Sequence, residues 1–198
     1  MLEVYKDAIT KDTLKALQEQ IVGSLEMPWY YIQSSAYSDH PGVETEVVDQ
    51  GSFFHLAFDK DLGPSHLADI CLKALYEAAV NIEGIGEYNV TRIRIGMHVW
   101  GSSRIVNTPH VDSERPHIVG LLYLNNSDGD TRIYEESFDS SANMSAFECF
   151  ESVSKFTEKV TVSPVAGTFV LFDGKHYHSS STPTEHANRV TINFNLEK

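Results

Sequence analysis

The fold is decided by a segment that reads PHVDSERPHIVGLLYLNNSDGDTRIY and spans residues 109–134. Its centre, residues 118–124, is an uninterrupted apolar run with the length of a buried strand. Turn-forming polar residues follow at 125–129, and a short apolar stretch resumes at 131–134. The segment therefore predicts two strands joined by a turn in the core of a β-rich domain.

Strand patterns continue on both sides of this segment, and helical patterns precede them. Two helices come first, the first capped by Asp12 and closed by Gly23, the second beginning at Pro64. We therefore predict one domain, residues 1–198, that is mainly β with flanking helices and forms a jelly-roll barrel. Residues 1–85 would give helical support and residues 86–198 the jelly-roll core. The further predicted strands are residues 90–95, 160–162, 168–172 and 189–196.

Composition and charge exclude several function classes. The 198 residues carry a formal net charge of −13, which opposes binding to nucleic acid because a phosphate backbone needs a basic face. No apolar stretch reaches the roughly 18 residues of a membrane helix. Neither a disulfide framework nor a signal peptide is indicated. We expect a cytoplasmic protein whose partner is a peptide or a small molecule, with neither nucleic acid nor membrane involved.

A metal site is indicated by His110 and Asp112. Alternate side chains of a strand share a face, so this imidazole and this carboxylate can bind one ion. His178 supplies a third ligand from a distant strand, and two histidines with one carboxylate form the facial triad of non-haem Fe(II) oxygenases. His176 is a second candidate for the third ligand, because it lies on the same face of a regular strand. An open three-ligand site also suits zinc.

Arg189 follows the third histidine at the start of the last predicted strand. A guanidinium is suited to the far carboxylate of a dicarboxylic acid, because it donates two parallel hydrogen bonds. The alternative interpretation is an arginine with a purely structural role. The candidate ligands elsewhere in the chain favour the functional interpretation.

The combined motifs resemble the catalytic core of the Fe(II)/2-oxoglutarate-dependent oxygenases, most of all the prolyl 4-hydroxylase branch. The resemblance covers about residues 90–196. Two positions depart from the family pattern: Asp130 stands where a second glycine is usual, and Trp100-Gly101 stands where Tyr-Gly is usual. The motifs that carry the resemblance are PHVD (109–112), HIVGLLYLN (117–125), GDTRIY (129–134), PVAGTFVLF (164–172), His178 and RVT (189–191).

The resemblance implies a double-stranded β-helix, which is another name for this jelly roll. It also implies Fe(II), 2-oxoglutarate as cosubstrate, and O₂. The spacing of His178 to Arg189 and Pro183 fits the family better than that of His176. Iron would be held by His110, Asp112 and His178, and 2-oxoglutarate would be contacted by Arg189, Tyr123 and Thr191. For Tyr123, packing in the core with a satisfied hydroxyl is an equal alternative.

The function implied is hydroxylation of an unactivated C–H bond, in a peptidyl proline or an amino acid. Three alternatives stay open: a nucleic-acid demethylase of the same superfamily, a zinc hydrolase, and a non-catalytic jelly-roll protein. The net charge argues against the first, and the intact ligand set argues against the last. Residues 136–158 form a long insertion with four phenylalanines, which is either a lid over the barrel mouth or a loop packed on its exterior.

Overall fold

A computed structural model describes residues 1–34, 36, 49–80, 82–83, 85–139, 141 and 145–198. Within them the chain is mainly β, as predicted. A single π-helical turn, Gln18–Val22, extends the first helix, and a 3₁₀ turn lies at Ile85–Glu87. The α-helices are α1 (Lys11–Leu17), α2 (Ala68–Ala79) and α3 (Ala146–Ser152). The strands are β1 (Leu2–Tyr5), β2 (Tyr30–Ile32), β3 (Ser52–Asp59), β4 (Gly63–Pro64), β5 (Asn89–Val99), β6 (Ile118–Tyr123), β7 (Thr131–Ser137), β8 (Glu158–Val162), β9 (Phe169–Asp173), β10 (His176–Ser180) and β11 (Asn188–Glu197).

Two antiparallel sheets face each other. The large sheet has the order β1-β9-β6-β11-β5-β3-β2, with β4 paired to β3, and the small sheet has the order β10-β7-β8. A bridge between His110 and His178 extends the small sheet by one short segment. This arrangement is the predicted jelly roll, so the fold class is confirmed.

Strand β11 lies in the middle of the large sheet, between β6 and β5. Its apolar side chains, from Val190 to Leu196, pack with the helices in one large core. Because side chains alternate across a strand, Arg189, Thr191, Asn193 and Asn195 point the other way, toward the small sheet. Along β11, the space between the sheets is therefore lined by polar side chains, and most of these side chains are buried.

Helices α1 and α2 cover the outer face of the large sheet, as predicted, but each begins at a different residue from the one predicted. The side chain of Thr10, not Asp12, caps α1 by accepting a hydrogen bond from the Thr13 amide. Pro64 belongs to β4, where it pairs with Phe58, and α2 begins at Ala68. Among the described residues, no helix is long and apolar enough to cross a membrane.

Residues 1–85, predicted to give helical support, also contain four strands within their described part. β1 forms one edge of the large sheet by pairing with β9, and β3 pairs with β5 next to the polar interior. The strand β3 forms because its residues pack on two sides, against the helices and toward the inner face of the sheet. The mixed pattern of SFFHLAFD does not predict a strand by itself. That residues 1–198 form one domain stays a prediction.

The insertion at residues 136–158 forms α3, which packs on the outer face of the small sheet. The ring of Phe156 lies 5.2 Å from Tyr134 and 5.3 Å from Tyr177, and the Tyr177 hydroxyl donates a hydrogen bond of 2.9 Å to the Ala146 carbonyl. Phe138 is buried in the same cluster. These contacts support exterior packing over a lid. Residues 140 and 142–144 lie outside the described part of this segment.

Replacing Phe156 by alanine is expected to lower the free energy of unfolding by about 1–3 kcal/mol, because it removes ring contacts from a partly buried cluster. Urea unfolding measures this change. Leu25→Ala is the control, since Leu25 is fully exposed and should change stability by less than about 0.5 kcal/mol. A Phe156→Ala protein as stable as the wild type would contradict the packing of this segment.

Candidate metal and anion site

Three possible metal ligands meet where the short segment at His110 joins β10. One ligand atom each from His110, Asp112 and His178 lies within 4.8 Å of the others. The backbones of the two histidines hold them together, because the His110 amide donates to the His178 carbonyl at 3.0 Å and the reverse bond measures 2.9 Å. The fold therefore brings together the predicted trio, although Asp112 and His178 are far apart in sequence.

Both imidazoles are oriented through their Nδ1 atoms. Nδ1 of His110 lies 3.1 Å from the Thr108 carbonyl, and Nδ1 of His178 lies 3.3 Å from the His176 carbonyl. A carbonyl accepts only, so each Nδ1 carries the proton and each Nε2 keeps a free lone pair. This tautomer leaves Nε2 of each histidine able to bind a metal ion.

The Asp112 carboxylate accepts three hydrogen bonds from the large sheet. Arg92 Nη2 donates to Oδ1 at 3.2 Å, and Asn193 and Asn195 donate to Oδ2 at 2.9 and 3.0 Å. Burial by itself raises the pKa of Asp112, but His178 and Arg92 with these hydrogen bonds outweigh it and hold the pKa well below its usual range. The group is therefore an ionised, oriented carboxylate at neutral pH.

Arg189 lies at the other end of the same inner face and is 4% exposed. Its Nη2 donates a hydrogen bond of 2.6 Å to Thr131 Oγ1, which also accepts one of 2.7 Å from the Tyr123 hydroxyl. Arg189 forms no salt bridge with a carboxylate of the described chain, and its Nε has no hydrogen-bond partner there. Because Thr131 accepts twice, its own proton is free to be donated. The arrangement offers a buried cation and a hydroxyl donor to an anion.

Tyr123 is fully buried, and its ring lies 5.6 Å from the Arg189 guanidinium carbon. This matches the interpretation of Tyr123 as a core residue with a satisfied hydroxyl. Direct contact between Tyr123 and a ligand stays a prediction. Thr131 stands between Tyr123 and the interior, and sequence reasoning missed it.

A cavity of about 90 Å³ connects the two ends of the site. Thr191, which is predicted to contact 2-oxoglutarate, lines this cavity, whereas His176 does not. Among the described residues, the structure groups His178 rather than His176 with His110 and Asp112. The charged and polar residues that line the cavity include Arg94, His98, His110, Asp112, Thr131, His178, Arg189, Thr191 and Asn193.

His98 is a lining residue that sequence reasoning missed. Its Nε2 lies 3.0 Å from Ser180 Oγ, and its Nδ1 is buried with no partner among the described residues. Burial, reinforced by Arg189 and Arg94, lowers the pKa of His98 to about 3. The imidazole is therefore neutral at physiological pH and presents an unused polar atom. The sequence signal that could have identified His98 is the alternation of Arg92, Arg94 and His98 with apolar residues along β5.

The buried His98 predicts a specific pH dependence of stability. Its folded pKa of about 3 lies below the unfolded value of 6.5, so the unfolded chain takes up the proton first. The stabilisation is present above pH 6.5 and is lost as the pH falls toward 3, by about 1.4 kcal/mol per pH unit. His98→Gln should therefore reduce the slope of unfolding free energy against pH by about that amount in metal-free protein. Urea unfolding between about pH 6 and pH 4 measures it, and equal slopes would contradict the assignment.

Comparisons with known proteins agree on the fold. No protein-family model and no curated protein sequence matches the chain. Among solved structures, the chain is similar to an oxidoreductase of the 2OG-Fe(II) oxygenase family from Burkholderia pseudomallei, with a TM-score of 0.61 and 12% identity over 99% of this chain and 84% of that one.

Two further similar structures belong to proteins with different reactions. One is a prolyl hydroxylase from Trichoplax adhaerens in complex with a peptide fragment of hypoxia inducible factor, with a TM-score of 0.62 and 12% identity over 99% of this chain and 83% of that one. The other is the non-heme alpha-ketoglutarate-dependent epimerase SnoN from nogalamycin biosynthesis, with a TM-score of 0.61 and 10% identity over 100% of this chain and 78% of that one. The chain therefore has the fold of the 2OG-Fe(II) oxygenases.

Proposed function

We propose that the protein is an Fe(II)- and 2-oxoglutarate-dependent oxygenase that hydroxylates an unactivated C–H bond. One observation carries the proposal: a cluster of two imidazoles and a carboxylate shares a small cavity with a buried guanidinium that forms no salt bridge within the described chain. The first group suits a divalent iron. The second suits the far carboxylate of 2-oxoglutarate.

The residues present fit both groups. His110, Asp112 and His178 would hold the iron, since their Nε2 atoms and carboxylate face one another and their other polar atoms are already bonded. The unpartnered Nε of Arg189 and the free proton of Thr131 fit a carboxylate. An empty interior would leave these donors unsatisfied, at a cost of about 1–3 kcal/mol each.

The chain's own contribution to the reaction is binding, orientation and exclusion of water. Bound iron would supply the activation of O₂ at the expense of 2-oxoglutarate, which becomes succinate and CO₂. Asn193, Asn195 and Arg92 fix the carboxylate ligand so that it cannot rotate away. Arg189 and Thr131 would fix the cosubstrate at its far end. The apolar layer of Val119, Leu121, Ile133 and Phe172 beside the site keeps water out.

The proposal extends to the class of substrate. The resemblance to prolyl 4-hydroxylases favours a peptidyl proline or an amino acid. The similar prolyl hydroxylase in complex with a peptide supports this substrate class, whereas the similar epimerase indicates that the same fold serves other outcomes.

Succinate formation tests the reaction class. Purified protein supplied with Fe(II), 2-oxoglutarate and O₂ should release succinate, even slowly without substrate, and His178→Ala should release none. His176→Ala is the matched control and should retain the wild-type rate. Absence of 2-oxoglutarate-dependent succinate from wild-type protein that has bound Fe(II) would refute the proposal, and hydrolytic activity with Zn²⁺ would favour the zinc alternative.

A further inference from the structure

Arg94 is a second arginine on the inner face of the site, in the middle of β5. Its neighbours Ile93 and Ile95 are fully buried against the helices, so the Arg94 side chain points into the space between the sheets. There it lines the same cavity as the histidine and aspartate cluster. Its guanidinium carbon lies 4.7 Å above the ring of Phe54 on the neighbouring strand. A planar cation stacked on an aromatic ring is held in place without being neutralised.

The Arg94 guanidinium has no directly bonded anionic partner within the described chain. The Asp112 carboxylate is bonded to Arg92 and two asparagines, and Arg94 forms neither a salt bridge nor a side-chain hydrogen bond with any described residue. Partly burying a guanidinium costs free energy when its five N–H donors find no acceptor in the protein. Its cost is removed when an anion from solution binds there.

Arg94 is placed at the cluster rather than at the far end of the cavity. In the ladder between β5 and β11 it lies opposite Asn193, which bonds Asp112 directly, whereas Arg189 lies opposite His98. Four residues of strand separate the two positions, or about 13 Å. The two arginines therefore reach the cavity from separate positions on the sheet. With Arg189 engaged by the far carboxylate of 2-oxoglutarate, Arg94 is left for a second ligand.

The chemistry around Arg94 limits what that ligand is. Burial and the neighbouring Arg92 lower the pKa of Arg94 and Asp112 raises it, yet an arginine stays charged in proteins. Besides Asp112, no acidic side chain is among the residues that line the cavity. A cationic substrate thus has no partner here, whereas a carboxylate meets a planar fork of matching geometry. The Oδ1 atom of Asn193 is buried without a partner and is available to a donor next to that carboxylate.

We propose that Arg94 binds a carboxylate of the primary substrate, so that the substrate is a small carboxylic acid rather than an internal residue of a peptide. This proposal rests on the proposed function, because it takes Arg189 as the cosubstrate anchor. It narrows the earlier choice between peptidyl proline and free amino acid to a molecule with its own free carboxylate.

Binding measurements without turnover test the proposal. Wild-type protein is loaded with Mn(II) in place of Fe(II) and with 2-oxoglutarate, and is then titrated with a panel of amino, N-acylamino and hydroxy acids, each beside its carboxamide. Thermal unfolding and calorimetry should find acids that bind at least tenfold more tightly than their amides. Arg94→Met should remove this preference while leaving the 2-oxoglutarate affinity within about threefold. Arg115→Met, at an exposed arginine, is the control and should change neither.

Three results would overturn the proposal. The first is a wild-type protein that prefers no acid over its amide, or that binds peptides with blocked ends as tightly as acids. The second is an Arg94→Met protein that keeps the preference. The third is a variant whose 2-oxoglutarate affinity falls instead, which would assign Arg94 to the cosubstrate. Failure of the proposed function looks different, since wild-type protein would then bind neither Mn(II) nor 2-oxoglutarate.

Discussion

Replacing His178 by alanine is expected to lower the affinity for Fe(II) by more than about a hundredfold and to abolish turnover of 2-oxoglutarate. The variant removes one of the three proposed protein ligands and leaves the Asp112 carboxylate without the imidazole that faces it at 3.8 Å. Loss of an outer-shell partner alone typically costs 10–100-fold in metal affinity, so loss of a ligand should cost more. Anaerobic calorimetry with Fe(II), or with Mn(II) as a stable substitute, measures the change.

His176→Ala is the matched control for this experiment. His176 lies two residues away on the same strand, is partly buried, and is absent from the cavity lining. The variant should bind metal with the wild-type affinity. The reverse outcome, with metal lost in His176→Ala and kept in His178→Ala, would transfer the ligand role to His176.

Replacing Arg189 by alanine should weaken 2-oxoglutarate binding by well over tenfold while metal affinity stays unchanged. Truncating one partner of a buried charge pair costs about 2–5 kcal/mol, and each 1.4 kcal/mol is a factor of ten. Arg189 is buried and its Nε is unpartnered among the described residues, so a bound carboxylate would be its main electrostatic partner. Calorimetric titration of 2-oxoglutarate into the Mn(II)-loaded protein gives the affinity.

Arg132→Ala controls for the loss of an arginine elsewhere in the same fold. Arg132 pairs with Glu158 on the small sheet, and its side chain is 30% exposed. It should leave 2-oxoglutarate affinity within about twofold, because its side chain pairs with Glu158 and is not among the residues that line the cavity. Wild-type affinity in Arg189→Ala would show that the cosubstrate is held elsewhere.

The parts of the fold that the sequence predicts are those with one strong local pattern. Residues 118–124 have only one stable location, the core, and the polar residues that follow them form a turn. The stripe of small and apolar residues in α2 was equally clear. The capping box of α3, in which Ser145 and Glu148 bond each other's backbone, is present in the sequence as S-x-x-E, although no helix is predicted in residues 136–158.

Sequence reasoning misses the residues whose role depends on which face of a strand points into the space between the two sheets. Arg92, Arg94 and His98 alternate with apolar residues, a pattern that in most antiparallel sheets places polar side chains in water. Here the second sheet covers that face, so the same pattern lines a cavity. Thr131 and Asn193 were missed for a related reason, because a threonine and an asparagine carry no signal until the tertiary fold places them beside Arg189 and Asp112.

The position of β11 in the sheet has a consequence for how the protein reaches its native state. Its two neighbours, β5 and β6, are synthesised long before it, and until β11 arrives they present unpaired edges in the middle of the large sheet. Sheets closed by such distant pairing fold slowly and expose edges that aggregate. β11 also carries Arg189, Thr191, Asn193 and Asn195. Native-like affinity for metal and cosubstrate should therefore require that β11 has paired with both β5 and β6.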